Sequence, residues 1–150
     1  MRALLLAAGF AAASLAAAQH EGHRIVRPES LTWQDVPSLP PGAKIALIEG
    51  RMNEAGPVTA RVKLPPDYRI PPHYHQGQER VTVISGTVHI GMGERFDAAK
   101  TTAMPAGTVL LMPAGMRHFA MTREETIFQL NVIGPWTVTY VNPADDPRGK

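Results

Sequence analysis

The chain has 150 residues, with 14 prolines, 13 glycines and no cysteine, a length suited to one domain that can bury a proper core. Without cysteine there is no disulfide framework and no lipid attached at a thiol. A formal charge of +2 with no basic cluster excludes the electrostatic footprint of a nucleic-acid binder.

Met1-Arg2 and the apolar run Ala3 to Ala13 precede Ala16-Ala17-Ala18. A charged start, a short apolar run and small residues at the end describe a secretory signal peptide over residues 1–18, cleaved near Ala18/Gln19. The run is too short and too rich in alanine for a comfortable membrane span, so an uncleaved anchor is the lesser alternative. With one arginine and no arginine pair, the general secretion route is expected, and a secreted or periplasmic location with no stable membrane anchor. Cleavage removes Arg2 from the 15 basic residues and leaves 14 against 13 acids. Residues 19–41 form a polar, proline-containing N-terminal segment, with His20 and His23 read as part of a disordered or clasping tail, loose metal binding by the two being the lesser alternative. Leu31-Thr32-Trp33 reads as a short strand, with Trp33 covering one end of the core.

Lys44 to Glu49 reads as a strand. Val58 to Leu64 alternates, with Val58, Ala60, Val62 and Leu64 on one face and Thr59, Arg61 and Lys63 on the other. Next comes Pro71-Pro72-His73-Tyr74-His75-Gln76-Gly77-Gln78-Glu79. In extended chain His73 and His75 share a face, their attachment points roughly 6.5 Å apart. Glu79 keeps the same parity across a plausible bend at Gln76-Gly77-Gln78. Imidazole nitrogen and carboxylate oxygen together suit Mn, Fe, Co, Ni, Cu or Zn. An H-x-H pair alone has the ordinary reading of two surface histidines, and needs a second stretch to become a site.

Val81 to Ile90 reads as a hairpin turning at Gly86, with His89 facing outward by parity against Val88 and Ile90. Residues 93–106 read as a loop with a proline-glycine turn. Gly107 to His118 is the second stretch: a loop glycine, a short apolar strand, a Pro113-Ala114-Gly115 turn and a histidine entering a new strand. Thr126 to Val132 reads as a strand broken by Gly134-Pro135-Trp136, and Thr137 to Val141 as a last one before a surface tail at 142–150. Short strands with Gly and Pro punctuation and no long helical period predict an all-β sandwich or barrel.

Taken together the two stretches resemble the cupin family. Its first signature, G-x5-H-x-H-x3-E-x6-G, is met by His73, His75, Glu79 and Gly86. Its second, G-x5-P-x-G-x2-H-x3-N, is met by Gly107, Pro113, Gly115 and His118. Asp67 stands where the first glycine belongs and Thr122 where the last asparagine belongs, and neither position is a ligand in the family. The resemblance spans roughly residues 57–133. It implies a small jelly-roll (double-stranded β-helix) barrel over residues 42–141, holding one divalent transition metal (Fe, Mn, Ni, Cu or Zn) through His73, His75, Glu79 and His118. Four protein ligands would leave an octahedral ion about two positions for water, dioxygen or a chelating substrate. A tetrahedral Zn would be saturated.

Family members include dioxygenases, isomerases, lyases and decarboxylases, as well as proteins that only bind or sense. The expected function is a metal-dependent, dioxygenase-like oxidoreductase acting on a small chelating enol, phenol or dicarbonyl. A non-catalytic binder of metal or small ligand and a metal-dependent isomerase or lyase stand as alternatives. Gln129 is a pocket candidate, with a hydrogen bond to a neighbouring strand as its ordinary reading. Arg61, Tyr140 and Trp136 are rim candidates with ordinary structural readings. Met92, Met104, Met112, Met116 and Met121 read as core fillers. A homodimer is expected, clasped by the N-terminal segment over exposed sheet edges.

Overall fold

In the computed structural model, residues 22–149 are described. The expected signal peptide over 1–18 and His20 lie outside them. Strand β1 is Gln34–Asp35, β2 Lys44–Glu49, β3 Gly56–Leu64, β4 Arg69–Tyr74, β5 Glu79–Ser85 and β6 Thr87–Met92. They are followed by β7 Thr101–Pro105, β8 Val109–Met112, β9 His118–Met121, β10 Thr126–Gly134 and β11 Thr139–Tyr140. Two antiparallel sheets result, one ordered β1-β2-β3-β10-β5-β8 and the other β11-β4-β9-β6-β7. The chain passes back and forth between them, which is the jelly-roll arrangement. The sheets face one another rather than closing into a continuous barrel. No helix among the described residues is long and apolar enough to cross a membrane.

Alternation in β3 places Val58, Ala60, Val62 and Leu64 inward. They meet β10 in a register that pairs Phe128 with Val62 and Leu130 with Ala60. Val81 and Val83 of β5 and Val88 of β6 complete the apolar interior. Alternating strands bury one face in this way because successive side chains point to opposite sides of a sheet.

Several readings are corrected. Val81 to Ile90 is not a hairpin, since β5 pairs with β10 and β8 while β6 pairs with β7 and β9. Gly86 hands the chain from one sheet to the other at φ 71°, where a Cβ would lie 2.6 Å from the Glu125 carbonyl oxygen. Residues 93–106 are not all loop, because Thr101–Pro105 forms β7 against β6. Only Met104 of that strand is buried, so it carries almost no apolar periodicity. The first strand is Gln34–Asp35, three residues beyond the expected start. Trp33 lies under the Lys63 ammonium on the outer face of β3, 4.6 Å from the ring centroid, and does not cap the core. Met92 and Met116 are exposed, whereas Met104, Met112 and Met121 are buried.

The two departures from the signature meet each other. Asp67 adopts φ 54°, the single non-glycine residue with positive φ among those described, and aspartate tolerates this conformation better than most. Thr122 fastens the turn beside it: its hydroxyl donates to the Pro65 carbonyl at 2.7 Å and accepts from the Tyr68 N–H at 3.2 Å. The Thr122 N–H donates in turn to the Tyr68 carbonyl. The turn leading into β4 is therefore well defined without the glycine.

Candidate metal centre

His73 and His118 sit directly opposite one another on the paired strands β4 and β9. Opposed residues of an antiparallel pair project to the same face, so both rings enter the interior, their centroids 4.2 Å apart. His75 follows just past the end of β4 and keeps the parity of His73. Its backbone carbonyl accepts from the Gly115 N–H at 2.8 Å, so the Pro113-Ala114-Gly115 turn docks on the first histidine stretch. That contact explains why the two sequence stretches act as one unit. Glu79 opens β5 opposite Met112 of β8 and reaches the histidines from the other sheet.

All four side chains are buried, with His73, His75, Glu79 and His118 exposed by 4, 4, 7 and 3 %. The ligand atoms offered by His73, His75 and His118 lie within 4.8 Å of one another. Glu79 Oε2 is 3.7 Å from Nε2 of both His75 and His118, too long for a hydrogen bond. Each imidazole is oriented by a backbone carbonyl at Nδ1: Pro71 for His73 at 2.7 Å, Thr137 for His75 at 2.8 Å and Met116 for His118 at 3.0 Å. A carbonyl only accepts, so each Nδ1 carries the proton and each Nε2 keeps a free lone pair. Fixing the ring through its second nitrogen is how proteins orient histidine ligands.

The electrostatics agree with such a set. Burial holds the His75 imidazole down at about 4, and lowers His73 and His118 as well. The neighbouring imidazoles add to the effect at His73. Burial also raises the Glu79 carboxyl to about 7. Neutral imidazoles are the form that binds a cation, and a divalent ion would offset the cost of the buried carboxylate. With bonds of roughly 2.0–2.2 Å, adjacent ligand atoms around one ion stand roughly 3 Å apart. Glu79 Oε2 stands at 3.7 Å from two of the imidazole nitrogens, and the histidine ligand atoms lie within 4.8 Å of one another. The three buried histidines thus fit a metal ion.

A cavity of about 60 Å³ adjoins this cluster on the side of Val36, Leu39 and Trp136, and one of about 40 Å³ lies on the side of Val88, Leu110 and His118. Neither wall includes a lysine or an arginine. Trp136 stacks on His75 with centroids 4.1 Å apart and planes 22° apart, so it belongs to the site rather than its rim. Tyr140 is buried, 6.0 Å from the His73 ring, and its hydroxyl donates to the Ser38 carbonyl at 2.8 Å. Sequence parity could not have found the stack, because Trp136 lies on the irregular segment between β10 and β11.

Gln129 and Arg61 are corrected. They are Cα partners on β10 and β3, on the outer face of their sheet, while Phe128 and Leu130 line the cavity. The Gln129 amide donates to Asn131 Oδ1 at 3.3 Å, two residues along its own strand rather than to a neighbouring one. His89 is half-buried and lies outside the histidine cluster, as its parity requires.

A family model described as the ChrR cupin-like domain matches residues 21–137. Germin-like protein 5-1 of Oryza sativa subsp. japonica is 30% identical over 90 residues, covering 59% of this chain and 40% of that protein. The chain thus spans less than half the length of this curated relative. Among solved structures, the polyketide cyclase RemF from Streptomyces resistomycificus superposes with a TM-score of 0.69 at 17% identity, over 85% of this chain and 91% of that one. An oxalate oxidase does so with a TM-score of 0.52 at 21% identity, over 71% and 59%. At these identities the structural matches speak for the fold.

Proposed function

The chain belongs to the ChrR cupin-like family, and we propose that it binds one divalent transition metal through His73, His75, His118 and Glu79 and acts as a dioxygenase-like oxidoreductase. The observation that carries the reading is the convergence of three oriented Nε2 atoms and a buried carboxylate on one point beside a cavity. Such an ion would supply Lewis-acid or redox activation of a chelated substrate. The chain's own part is to hold three neutral imidazoles in one tautomer, to bury the carboxylate, and to exclude bulk water from the cavity. No acid or base beyond the four ligand groups lines either cavity, so activation centred on the ion is the economical mechanism.

The wall also bears on the substrate. With no cationic side chain to meet a dianion, it favours a small neutral or singly ionised chelator such as an enol, a phenol or a dicarbonyl. A cavity of about 60 Å³ holds a handful of waters and is smaller than the roughly 150 Å³ that accepts benzene. A substrate of that size would displace the covering segment at Val36 and Leu39. The same small cavity favours a second reading, a non-catalytic binding protein.

The test is oxygen uptake by protein of known metal content, offered a panel of β-dicarbonyls, catechols and enols. Uptake proportional to bound metal is the expected result. Oxygen-independent turnover would support an isomerase or lyase instead, and metal-loaded protein with no turnover would support the binder. Export, with cleavage near Ala18/Gln19, and assembly as a homodimer complete the proposal. The mass of the exported chain and light scattering decide these two points.

A further inference from the structure

We propose that residues 36–42 form a lid over the histidine-glutamate centre, latched by the hydroxyls of Tyr140 and Tyr68, and that small ligands enter when it opens. The inference rests on the metal-binding reading above and gives that site its entrance. An entrance is needed because the four ligand groups are buried and the cavity beside them has about 60 Å³. Much of the wall is strand: Val62 of β3, Ile70 of β4, Phe128 and Leu130 of β10. Moving a strand breaks a ladder of backbone hydrogen bonds. Val36, Ser38 and Leu39 come instead from the segment between β1 and β2.

That segment is built as a flap. Its ends are held together by the two-residue pairing of β1 with β2 and by the Asp35–Lys44 ion pair at 2.7 Å. Between them Pro37, Pro40 and Pro41 have no N–H to donate, and the Leu39 N–H is used inside the segment, on the Val36 carbonyl. Among the described residues, the hydrogen bonds that reach residues 37–41 from outside come from two tyrosines. The Tyr140 hydroxyl donates to the Ser38 carbonyl at 2.8 Å, and the Tyr68 hydroxyl to the Pro40 carbonyl. Gly42 ends the segment at φ 108°, a conformation open to glycine, and small residues of this kind serve as hinges.

There is also room for the movement. A concavity of about 480 Å³ adjoins the same segment, lined in addition by Pro147 and Arg148 of the C-terminal tail. Val36 and Leu39 line both spaces, so the segment is the partition between them. Tyr140 stands opposite His73 on the paired strands β11 and β4, which mounts one latch on the strand that carries the first ligand. Compact loops with pinned ends and few outside bonds are the parts of a fold that open without global unfolding.

The chain has no cysteine, so one introduced thiol reports access. Val62→Cys places it on the cavity wall, and Val83→Cys in a core position that lines neither cavity. Metal-free full-length protein is labelled with methyl methanethiosulfonate at several low urea concentrations, with and without Tyr140→Phe. Val62→Cys is expected to react faster than Val83→Cys and at a rate nearly indifferent to urea, because lid opening exposes little surface. Val83→Cys should follow global unfolding and accelerate with urea. Tyr140→Phe should speed the labelling of Val62→Cys about fivefold, the weight of one hydrogen bond, and leave it indifferent to urea. If Tyr140→Phe folds poorly, Tyr68→Phe carries the same test. Labelling of Val62→Cys that is as slow and as urea-dependent as that of Val83→Cys, or that ignores both latches, overturns the lid. Since no metal is present, this result stands apart from the metal reading, which fails on the metal content of the wild type.

Discussion

Thr122→Val isolates the bond that replaces the signature's glycine and asparagine. The substitution nearly conserves volume at a fully buried position and removes only the hydroxyl. Two hydrogen bonds go, to the Pro65 carbonyl and from the Tyr68 N–H, and the buried N–H is left without its acceptor. At about 1 kcal/mol for each bond, with a further cost for the stranded donor, the loss is about 2–4 kcal/mol. For a domain of this size that corresponds to a fall in Tm of roughly 6–15 °C. The assay is urea and thermal unfolding at fixed metal occupancy, because bound metal would otherwise shift the curve. Thr101→Val, which removes a solvent-accessible bond to the Ala98 carbonyl, serves as the control and should change stability by about 0.5 kcal/mol or less. If Thr122→Val costs no more than this control, the Asp67 turn is not held in the way described. His73 keeps its cross-strand pairing with His118, so metal content is expected to survive the substitution.

Proton release on metal binding follows from the shifted groups. At pH 6 His75, held down at about 4, and His73, held well below its ordinary range, are neutral, burial disfavours the charged form of His118, and the Glu79 carboxyl, raised to about 7, is mostly protonated. Calorimetry in buffers of different ionisation heat should find about one proton released per ion at pH 6, and almost none at pH 8. Ordinary imidazoles would release about two at pH 6, and that result would refute the assignment. In the metal-free protein, His75 binds its proton only below about 4 in the folded state, against 6.5 unfolded, so its contribution to stability is lost as pH falls through that window. Glu79 acts oppositely, its contribution lost as pH rises from 4.5 to about 7. Three imidazoles outweigh one carboxyl, so thermal melts should show stability rising from pH 4 to 6.5. Gly91→Ala would place a methyl carbon 2.1 Å from Cζ of the buried Phe119 ring, and chemical denaturation should report a loss of about 1–3 kcal/mol. Gln129→Leu, on the outer face, should leave metal content unchanged by elemental analysis.

The clustering of the three histidines and Glu79 was legible because it depends on local parity and on the second stretch. His73 and His75 share a face in extended chain, and the Pro113-Gly115 turn fixes where His118 enters its strand. Gln129 was misread because Ile127 and Ile133, on the outer face of β10, are also apolar and blur the alternation that marks Phe128 and Leu130 as inward. The partners of β5 and β6 were hidden for another reason. A glycine turn looks the same whether it closes a hairpin or passes the chain to the facing sheet, and only contacts with distant strands decide. Trp136 illustrates the limit most clearly, since its stack on His75 joins residues that no period in the sequence relates.

The most direct test of the account is the metal content per chain of the wild type, His75→Ala and His89→Ala, purified side by side and measured by elemental analysis. The wild type and His89→Ala should each carry one divalent ion per chain, chiefly Zn or Cu by the usual affinity order when no metal is added. His75→Ala should carry little or none, because it removes one of three converging imidazoles from a buried site. Full occupancy in His75→Ala, or equal loss in both variants, would contradict the proposed centre.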